Sequence, residues 1–170
     1  APQGEVTRPT ADRTRETLFS MLTSRLGSFE GLQVLDLFSG SGALGLAALS
    51  RGAAHCVFVE QDKAALDALE TNIAKLGAGP QSEIKRGSAL MLGPARKAYD
   101  LILMDPPYGT AAGTVALDKL SRLGWIASGA LVSIETGNRE DTIVKGFEID
   151  TTRDIGKARL TLLRPASSSE

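Results

Sequence analysis

Residues 33–45 read Gln-Val-Leu-Asp-Leu-Phe-Ser-Gly-Ser-Gly-Ala-Leu-Gly, and this stretch decides the fold. Its first half is an apolar run of strand length, and its glycines at 40, 42 and 45 have the spacing G-x-G-x-x-G. The apolar residues after the turn predict a short helix that ends at Gly52. A strand, a glycine turn and a helix in this order open a nucleotide-binding α/β unit.

The remaining apolar runs alternate between strand and helix spacing, with glycine or proline between them. Right-handed crossovers between such elements give a mostly parallel sheet with helices on both faces. The last two runs flank Gly156 and predict a C-terminal antiparallel hairpin. We therefore predict one Rossmann-like α/β domain over residues 1–170, with an irregular lead-in at 1–9, a first helix capped by Thr10 and a frayed tail at 166–170. Seven strands are predicted, at 33–38, 56–60, around Ile84, and at 99–104, 130–135, 147–153 and 158–163.

The composition fits a single domain in a reducing cytosol. The one cysteine, Cys56, excludes an internal disulfide, and no apolar run reaches the roughly 18 residues of a membrane span. A formal charge of −1 argues against a generally basic nucleic-acid binder, so any contacts with phosphates are local. Two basic clusters offer such contacts, although solvated surface charge explains each of them as well. They are Arg8, Arg13 and Arg15, and Arg153, Lys157, Arg159 and Arg164.

The glycine turn leaves two cofactors to weigh. Glu60 lies 20 residues after Gly40, and an acid at this distance also marks a dinucleotide site, where it binds ribose hydroxyls. Asp36 favours S-adenosylmethionine, because a carboxylate before the turn repels the pyrophosphate of NAD and attracts an ammonium group. Two alternatives stay open, namely Asp36 as a structural cap and Glu60 as an exposed strand end. The predicted cofactor contacts are Asp36, Phe38, Ser39, Gly40, Gly42, Glu60, Gln61, Ser88, Ala89 and Asp105.

A second motif, Asp105-Pro106-Pro107-Tyr108, directly follows the apolar strand at 101–104. Two adjacent prolines cannot extend the strand, so the chain leaves the sheet as a stiff turn rich in carbonyl groups. A carboxylate, rigid carbonyls and an aromatic ring suit an exocyclic amino group on a planar base. We predict all four residues as catalytic, with Asp105 and the Pro106 carbonyl orienting the amino group and Tyr108 stacking on the base. The alternative is a proline-rich strand exit in which Asp105 is a cap and Tyr108 packs.

The sequence argues against a metal-binding site and against a catalytic Cys-His pair. His55 and Cys56 are adjacent, and the chain has no other histidine or cysteine. A buried strand position is the better interpretation of Cys56.

Three stretches together resemble a bacterial family, the RsmD family, which methylates guanine N2 in small-subunit (16S) ribosomal RNA. The first is residues 34–45 with Val59-Glu60 and the Asp-Pro-Pro-Tyr turn. The second is Arg-Pro-Thr-Ala-Asp-Arg-Thr-Arg-Glu-Thr-Leu-Phe at 8–19, and the third is Gly-Lys-Ala-Arg-Leu at 156–160. One departure concerns Ser88, since that position is often acidic in related methyltransferases.

The resemblance implies a class I fold that uses S-adenosylmethionine, releases S-adenosylhomocysteine and needs no metal. It also implies small-subunit ribosomal RNA as partner, within an assembling 30S particle, and a cytoplasmic monomer without membrane contact. The RNA-binding residues that it implies are Arg8, Thr10, Arg13, Arg15, Lys157 and Arg159. Adenine-N6 methylation of RNA or DNA is the nearest alternative, and an NAD-binding or noncatalytic RNA-binding module is a third hypothesis.

Overall fold

Strands and helices alternate along most of the chain, as the sequence predicts. A computed structural model describes the backbone of residues 2–167 and the side chains of residues 11–167. Short 3₁₀ turns lie at Gly79–Gln81 and Ala89–Met91. The helices are α1 (Pro2–Leu26), α2 (Ala43–Ser50), α3 (Lys63–Lys75) and α4 (Ala112–Arg122). The strands are β1 (Gln33–Leu37), β2 (His55–Glu60), β3 (Ser82–Arg86), β4 (Tyr99–Met104), β5 (Ile126–Gly137), β6 (Phe147–Ile155) and β7 (Ala158–Pro165).

All seven strands form one sheet with the order β3-β2-β1-β4-β5-β7-β6. Strands β1 to β5 pair in parallel, whereas β7 is antiparallel to both β5 and β6. The predicted mostly parallel sheet with a C-terminal antiparallel hairpin is confirmed. Because parallel strands end at the same edge, the carboxyl ends of β1, β2, β4 and β5 lie side by side.

Helices α1, α2 and α3 cover one face of the sheet. Leu18, Phe19 and Leu22 of α1 are buried there, and the Phe19 ring packs 5.7 Å from that of Phe29. The Arg51 guanidinium lies over Phe19, 4.4 Å from its ring centre. Each fully buried leucine contributes about 1.5–3 kcal/mol to folding, so the second half of α1 is held firmly against the sheet.

Helix α4 covers the other face. Leu117 and Leu120 are fully buried there, together with Trp125, whose ring stacks on that of Tyr99 at 5.7 Å. The Trp125 indole N–H donates to the Gly93 carbonyl at 2.7 Å, so its polar atom is satisfied inside the core.

The start of α1 differs from the sequence prediction. The helix begins at Pro2, so the lead-in predicted as irregular is helical over 2–9, and Thr10 lies inside the helix rather than at its cap. Proline is tolerated in a first helical turn, as at Pro2, and a helix anchored by its packed half needs no new nucleus to extend toward this residue. The prediction was wrong because a proline such as Pro9 usually interrupts a helix and because residues 1–9 show no apolar periodicity.

The chain end also differs in part from the prediction. The amide of Ala166 donates to the Gly146 carbonyl at 2.7 Å, so the tail is tied at this residue rather than frayed. Residues 168–170 lie outside the described part of the chain. No helix in the described part is long and apolar enough to cross a membrane.

Candidate active site

A cavity of about 1030 Å³ opens at the edge where β1, β2, β4 and β5 end. It gathers the residues from both predicted motifs, together with groups from α1 and from the turn between β6 and β7. Its acidic lining consists of Asp36, Glu60, Asp105 and Glu135, and its basic lining of Arg15 and Lys157. The predicted residues that line it are Asp36, Phe38, Ser39, Gly40, Glu60, Gln61, Asp105, Pro106, Pro107 and Tyr108.

The glycine turn uses its amide groups inside the protein. The amide of Gly40 donates to the Glu60 carboxylate at 2.8 Å, and that of Gly42 donates to the Ser39 carbonyl at 2.9 Å. The amide of Gly45 donates to Asp36 Oδ2 at 2.9 Å. Two carboxylates therefore occupy positions where a dinucleotide site needs free amides for its pyrophosphate. This arrangement argues against NAD more directly than the charge of Asp36 alone.

Close packing explains two of these glycines. A Cβ on Gly45 would lie 2.5 Å from the Phe58 ring and 2.9 Å from Asp36 Oδ2. Gly42 has φ +87°, and a Cβ there would lie 2.4 Å from Leu69. Gly42 faces this packing and is not part of the cavity lining, so its predicted cofactor contact stays a prediction.

Asp36 is both a structural cap and part of the cavity. Its side chain is 1% exposed and accepts the Gly45 amide, as the capping alternative requires. Burial raises the pKa of Asp36 well above its usual range, against the lowering effect of the Gly45 hydrogen bond, and the charges of Asp105 and Glu60 raise it further. A cation in the cavity would oppose that rise and favour the ionised carboxylate.

Glu60 organises the loop beside the glycine turn. Besides the Gly40 amide, its carboxylate accepts the amides of Gln61 at 3.1 Å and Asp62 at 2.9 Å. It is thus not simply an exposed strand end. Two carboxylate oxygens accept about four hydrogen bonds, so these three leave capacity for one more group in the cavity. Ser39 is mainly structural, since its hydroxyl donates to the Asp36 carbonyl at 2.6 Å and accepts the Val59 amide at 3.0 Å.

Asp105 stands at the end of β4 with its carboxylate open to the cavity. Desolvation by the surrounding walls raises the pKa of Asp105 to about 7, and the charge of Glu135 adds to this effect. Pro106 is buried next to it, and a Cβ on Gly113 of α4 would lie 2.9 Å from Pro106. The Thr110 hydroxyl donates to the Pro107 carbonyl at 2.9 Å, which fixes the far side of the turn.

The Tyr108 side chain is 46% exposed, so its ring is accessible as a stacking surface. Its hydroxyl donates to the Glu135 carboxylate. Partial burial raises the pKa of Tyr108, and the bond to Glu135 raises it further. Tyr108 is therefore a neutral, anchored ring beside the Asp105 carboxylate.

Two acidic residues that support the turn, Glu135 and Glu140, are not predicted as site residues from the sequence. Glu135 is predicted only as the end of a strand. Glu140 Oε2 accepts the Gly109 amide at 3.0 Å and the Gly137 amide at 2.8 Å. It therefore joins the chain just after Tyr108 to the end of β5. The parallel pairing of β4 with β5 was the signal that could have placed Glu135 here.

Comparison with known proteins decides the family. A family model described as conserved hypothetical protein 95 matches residues 1–164. The ribosomal RNA small subunit methyltransferase D of Escherichia coli is 36% identical over 99% of this chain and 85% of its own length. The chain belongs to the RsmD methyltransferase family. This confirms the resemblance inferred from the three sequence stretches.

Further proteins are similar to all or part of this chain. The protein YlbH of Bacillus subtilis is 39% identical over 64% of this chain and 59% of its own length. The solved structure of the protein yhhF from Escherichia coli matches with a TM-score of 0.81 and 31% identity, over 95% of this chain and 89% of the other. An adenine-N6 tRNA methyltransferase of Shewanella putrefaciens is 35% identical over 45% of this chain and 33% of its own length.

Besides Gly42, two predicted cofactor residues of this RsmD-family chain lie apart from the cavity lining. Ser88 follows β3, and its hydroxyl accepts the amide of Leu90 at 3.0 Å. Ala89 is buried behind it. Both stand at the carboxyl edge of the sheet, next to the end of β2, and their contact with the cofactor stays a prediction.

The predicted RNA-binding residues occupy different environments. Arg15 lines the cavity and forms an exposed ion pair with Asp12 at 3.0 Å, while Arg13 is exposed and is not part of the lining. Lys157 lines the cavity from the β6–β7 turn. The side chains of Arg8 and Thr10 lie outside those that the structure describes.

Arg159 stands out because it is engaged within the protein. Its guanidinium pairs with Asp154 at 2.7 Å, donates to the Glu140 carbonyl at 3.3 Å and lies 3.7 Å from Asp141. It thus ties the closing hairpin to the loop that carries Glu140. An RNA contact by Arg159 stays a prediction.

Proposed function

We propose that this methyltransferase transfers a methyl group from S-adenosylmethionine to the exocyclic N2 amino group of a guanine in small-subunit ribosomal RNA. The observation that carries the proposal is the Asp105 carboxylate, beside an accessible Tyr108 ring and at the edge of an acid-lined cavity. The name of the Escherichia coli relative supports the RNA class of the substrate.

The cavity fits S-adenosylmethionine through its charge. When bound, this cofactor supplies a methyl group activated on a sulfonium, and it also carries an ammonium. Asp36 and Asp105 offer carboxylates to these cations, and Glu60 has capacity for a ribose hydroxyl. Burial first, and neighbouring carboxylates second, raise the pKa of Asp36 and that of Asp105, so a cationic partner would stabilise their ionised forms.

The turn at 105–108 would orient the amino group. Its lone pair is delocalised into the base and must be directed outward before it can act as a nucleophile. Asp105 and the Pro106 carbonyl each accept one amino hydrogen in this proposal, and the fixed turn holds both acceptors without reorganisation. Tyr108 stacks on the base, and such stacking contributes about 1–3 kcal/mol toward the cost of unstacking the base from the RNA.

Asp105 also has a suitable pKa for removing the proton that leaves the amino group. A carboxyl with a pKa of about 7 accepts a proton far more readily than one with the ordinary value of 3.8. Asp105 thereby acts first as an orienting acceptor and then as the acceptor of that proton.

The RNA-facing side of this proposal consists of Arg13, Arg15 and Lys157 around the cavity mouth. Their phosphate contacts are local, as the net charge of −1 requires. We further propose that a monomer acts in the cytoplasm on an assembling 30S particle.

Binding and transfer are tested in two steps. Calorimetry should detect the binding of S-adenosylhomocysteine and show no heat of binding with NAD. In the second step, the protein and labelled S-adenosylmethionine should label small-subunit ribosomal RNA or an assembly intermediate. Binding of NAD alone would refute the cofactor assignment, and label confined to DNA would refute the substrate class.

Adenine-N6 methylation is the second candidate. The similarity of part of this chain to an adenine-N6 tRNA methyltransferase favours it, and the same turn could orient an adenine amino group. Nucleoside analysis of the labelled RNA separates the two products.

A further inference from the structure

Glu135 lines the cavity, and the methyl transfer proposed above gives it no contact with the base. It follows Ile134, which pairs with Met104, so it stands beside Asp105 at the carboxyl ends of two neighbouring parallel strands. The charge of Glu135 contributes to the raised pKa of Asp105, which shows that the two carboxylates are close together. Because both line the same cavity, both carboxylates face a base that is bound there.

The Glu135 carboxylate has acceptor capacity left for a ligand. The Tyr108 hydroxyl donates to its Oε2 atom, and no other group among the residues that the structure describes donates to this carboxylate. The Glu135 side chain is only partly buried, so the cavity reaches it. A carboxylate accepts about four hydrogen bonds, so an N–H group of a substrate can still bind. The bond to Tyr108 also fixes the carboxylate next to the ring on which the base stacks in the proposed function.

Guanine and adenine differ directly beside the amino group that is methylated. In guanine, the ring nitrogen N1 next to the N2 amino group carries a hydrogen and donates. In adenine, the ring nitrogen N1 next to the N6 amino group carries a lone pair and accepts. A carboxylate at this place forms a charge-assisted hydrogen bond with guanine N1–H and repels the lone pair of adenine N1.

The turn at 105–108 does not make this distinction. Asp105 and the Pro106 carbonyl accept the two amino hydrogens in the proposed function, and an amino group of either base satisfies them. The N1–H of guanine then needs a further acceptor, because a donor that leaves water without a partner weakens binding. Glu135 is the next carboxylate along the same edge of the sheet.

We propose that Glu135 determines the choice of base, by accepting the N1–H of the target guanine and by repelling N1 of adenine. The proposal rests on the guanine-N2 transfer proposed above and adds to it the residue that selects guanine. Asp105 and Pro106 orient the amino group, and Glu135 recognises the ring nitrogen beside it.

Glu135→Ala tests the proposal in the transfer assay. The kcat/KM for small-subunit ribosomal RNA should fall about ten- to hundredfold, because a hydrogen bond to a charged acceptor is lost. Glu135→Gln keeps an acceptor oxygen and should lose less than Glu135→Ala. In both variants the affinity for S-adenosylhomocysteine should stay within about threefold of wild type, which shows that the cavity is intact.

Two further variants separate base recognition from the anchoring of Tyr108. Tyr108→Phe removes the bond from the hydroxyl to Glu135 and leaves the carboxylate, so it should lose much less kcat/KM than Glu135→Ala. Glu148→Ala removes an exposed carboxylate where β6 pairs with the far end of β7, and it should leave kcat/KM unchanged. Equal losses in Glu135→Ala and Tyr108→Phe would overturn the proposal, because Glu135 would then act only through the ring.

Binding of free nucleotides tests the choice of base without any transfer. Guanosine 5′-monophosphate and 2-aminopurine riboside 5′-monophosphate both carry the 2-amino group, but only guanine has a hydrogen on N1. The wild-type complex with S-adenosylhomocysteine should bind the guanine nucleotide about tenfold more tightly, and Glu135→Ala should lose most of this preference. A carboxylate that only held the ring, or only raised the pKa of Asp105, would not affect the preference. The same preference in both proteins, or no binding of guanosine 5′-monophosphate, would overturn the proposal.

The two measurements also separate this proposal from the proposed function. A guanine preference that depends on Glu135, in a protein that labels no ribosomal RNA, would support base recognition and refute the proposed transfer. Label in N2-methylguanosine that is undiminished in Glu135→Ala would support the transfer and overturn the role of Glu135.

Discussion

Replacing Asp105 with asparagine should make the protein more stable and inactive. The pKa of Asp105 is raised from 3.8 to about 7 in the folded protein, so folding disfavours its ionised form. The difference of 7 − 3.8 = 3.2 pKa units corresponds to at most about 4 kcal/mol. Because the side chain is open to water in the cavity, we discount this value to about 1 kcal/mol.

The pH dependence gives this prediction its sign. Between about pH 4 and pH 7 the folded protein binds more protons at Asp105 than the unfolded chain, so stability falls as pH rises through this window. The carboxylate therefore destabilises the fold fully above about pH 7 and not at all below about pH 4. The free energy of unfolding of Asp105→Asn should therefore exceed that of the wild type by about 1 kcal/mol at pH 8 and should equal it at pH 3.5.

Urea unfolding of both proteins at the two pH values measures this difference. Asp67→Asn, at an exposed position on α3, is the control and should change stability by less than about 0.5 kcal/mol at either pH. Equal stability changes at both pH values, or a loss of stability at pH 8, would refute the electrostatic reasoning. S-adenosylhomocysteine affinity of the variant should stay within about tenfold of wild type, because one carboxylate of several is lost.

Gly45→Ala should cost about 1–3 kcal/mol in thermal unfolding, since the new methyl lies 2.5 Å from the Phe58 ring; a gain of stability, as for an ordinary helical glycine, would contradict the close packing. Tyr108→Ala should abolish methyl transfer while Tyr108→Phe keeps most of it, because the ring provides the stacking surface, and equal loss in both variants would instead assign the role to the hydroxyl. Glu140→Ala should lower kcat about tenfold without changing S-adenosylhomocysteine affinity, because the amides of the turn lose their shared acceptor. Glu140→Gln should restore most of the rate, Asp141→Asn should not change it, and no rescue by glutamine would show that Glu140 does not act through these hydrogen bonds.

Most of the residues predicted for the site line one cavity, because their positions depend on the topology of the sheet. Asp36, Glu60 and Asp105 each lie at or next to the carboxyl end of a predicted strand, and parallel strands bring these ends to one edge whatever the packing details. The element boundaries around them follow from glycine, proline and apolar periodicity. The end of α2 at Ser50, just before the predicted stop at Gly52, is an example.

Hydrogen-bond partners across the site could not be predicted in the same way. The hydrogen bonds from the amides of Gly40 and Gly45 to the carboxylates of Glu60 and Asp36 depend on how closely α2 and the turn before it approach the sheet. The support of Gly109 by Glu140 depends on the path of a loop that has no periodic signal. Ser88 failed to reach the cavity lining for a similar reason, since a 3₁₀ turn directs its hydroxyl to Leu90.

Nucleoside analysis of labelled ribosomal RNA tests the central claim most directly. Small-subunit RNA is incubated with the protein and labelled S-adenosylmethionine, digested to nucleosides and separated. The wild-type protein should place the label in N2-methylguanosine, and Asp105→Asn, which is expected to stay folded, should place none. Label in N6-methyladenosine, or transfer by Asp105→Asn at the wild-type rate, would contradict the account.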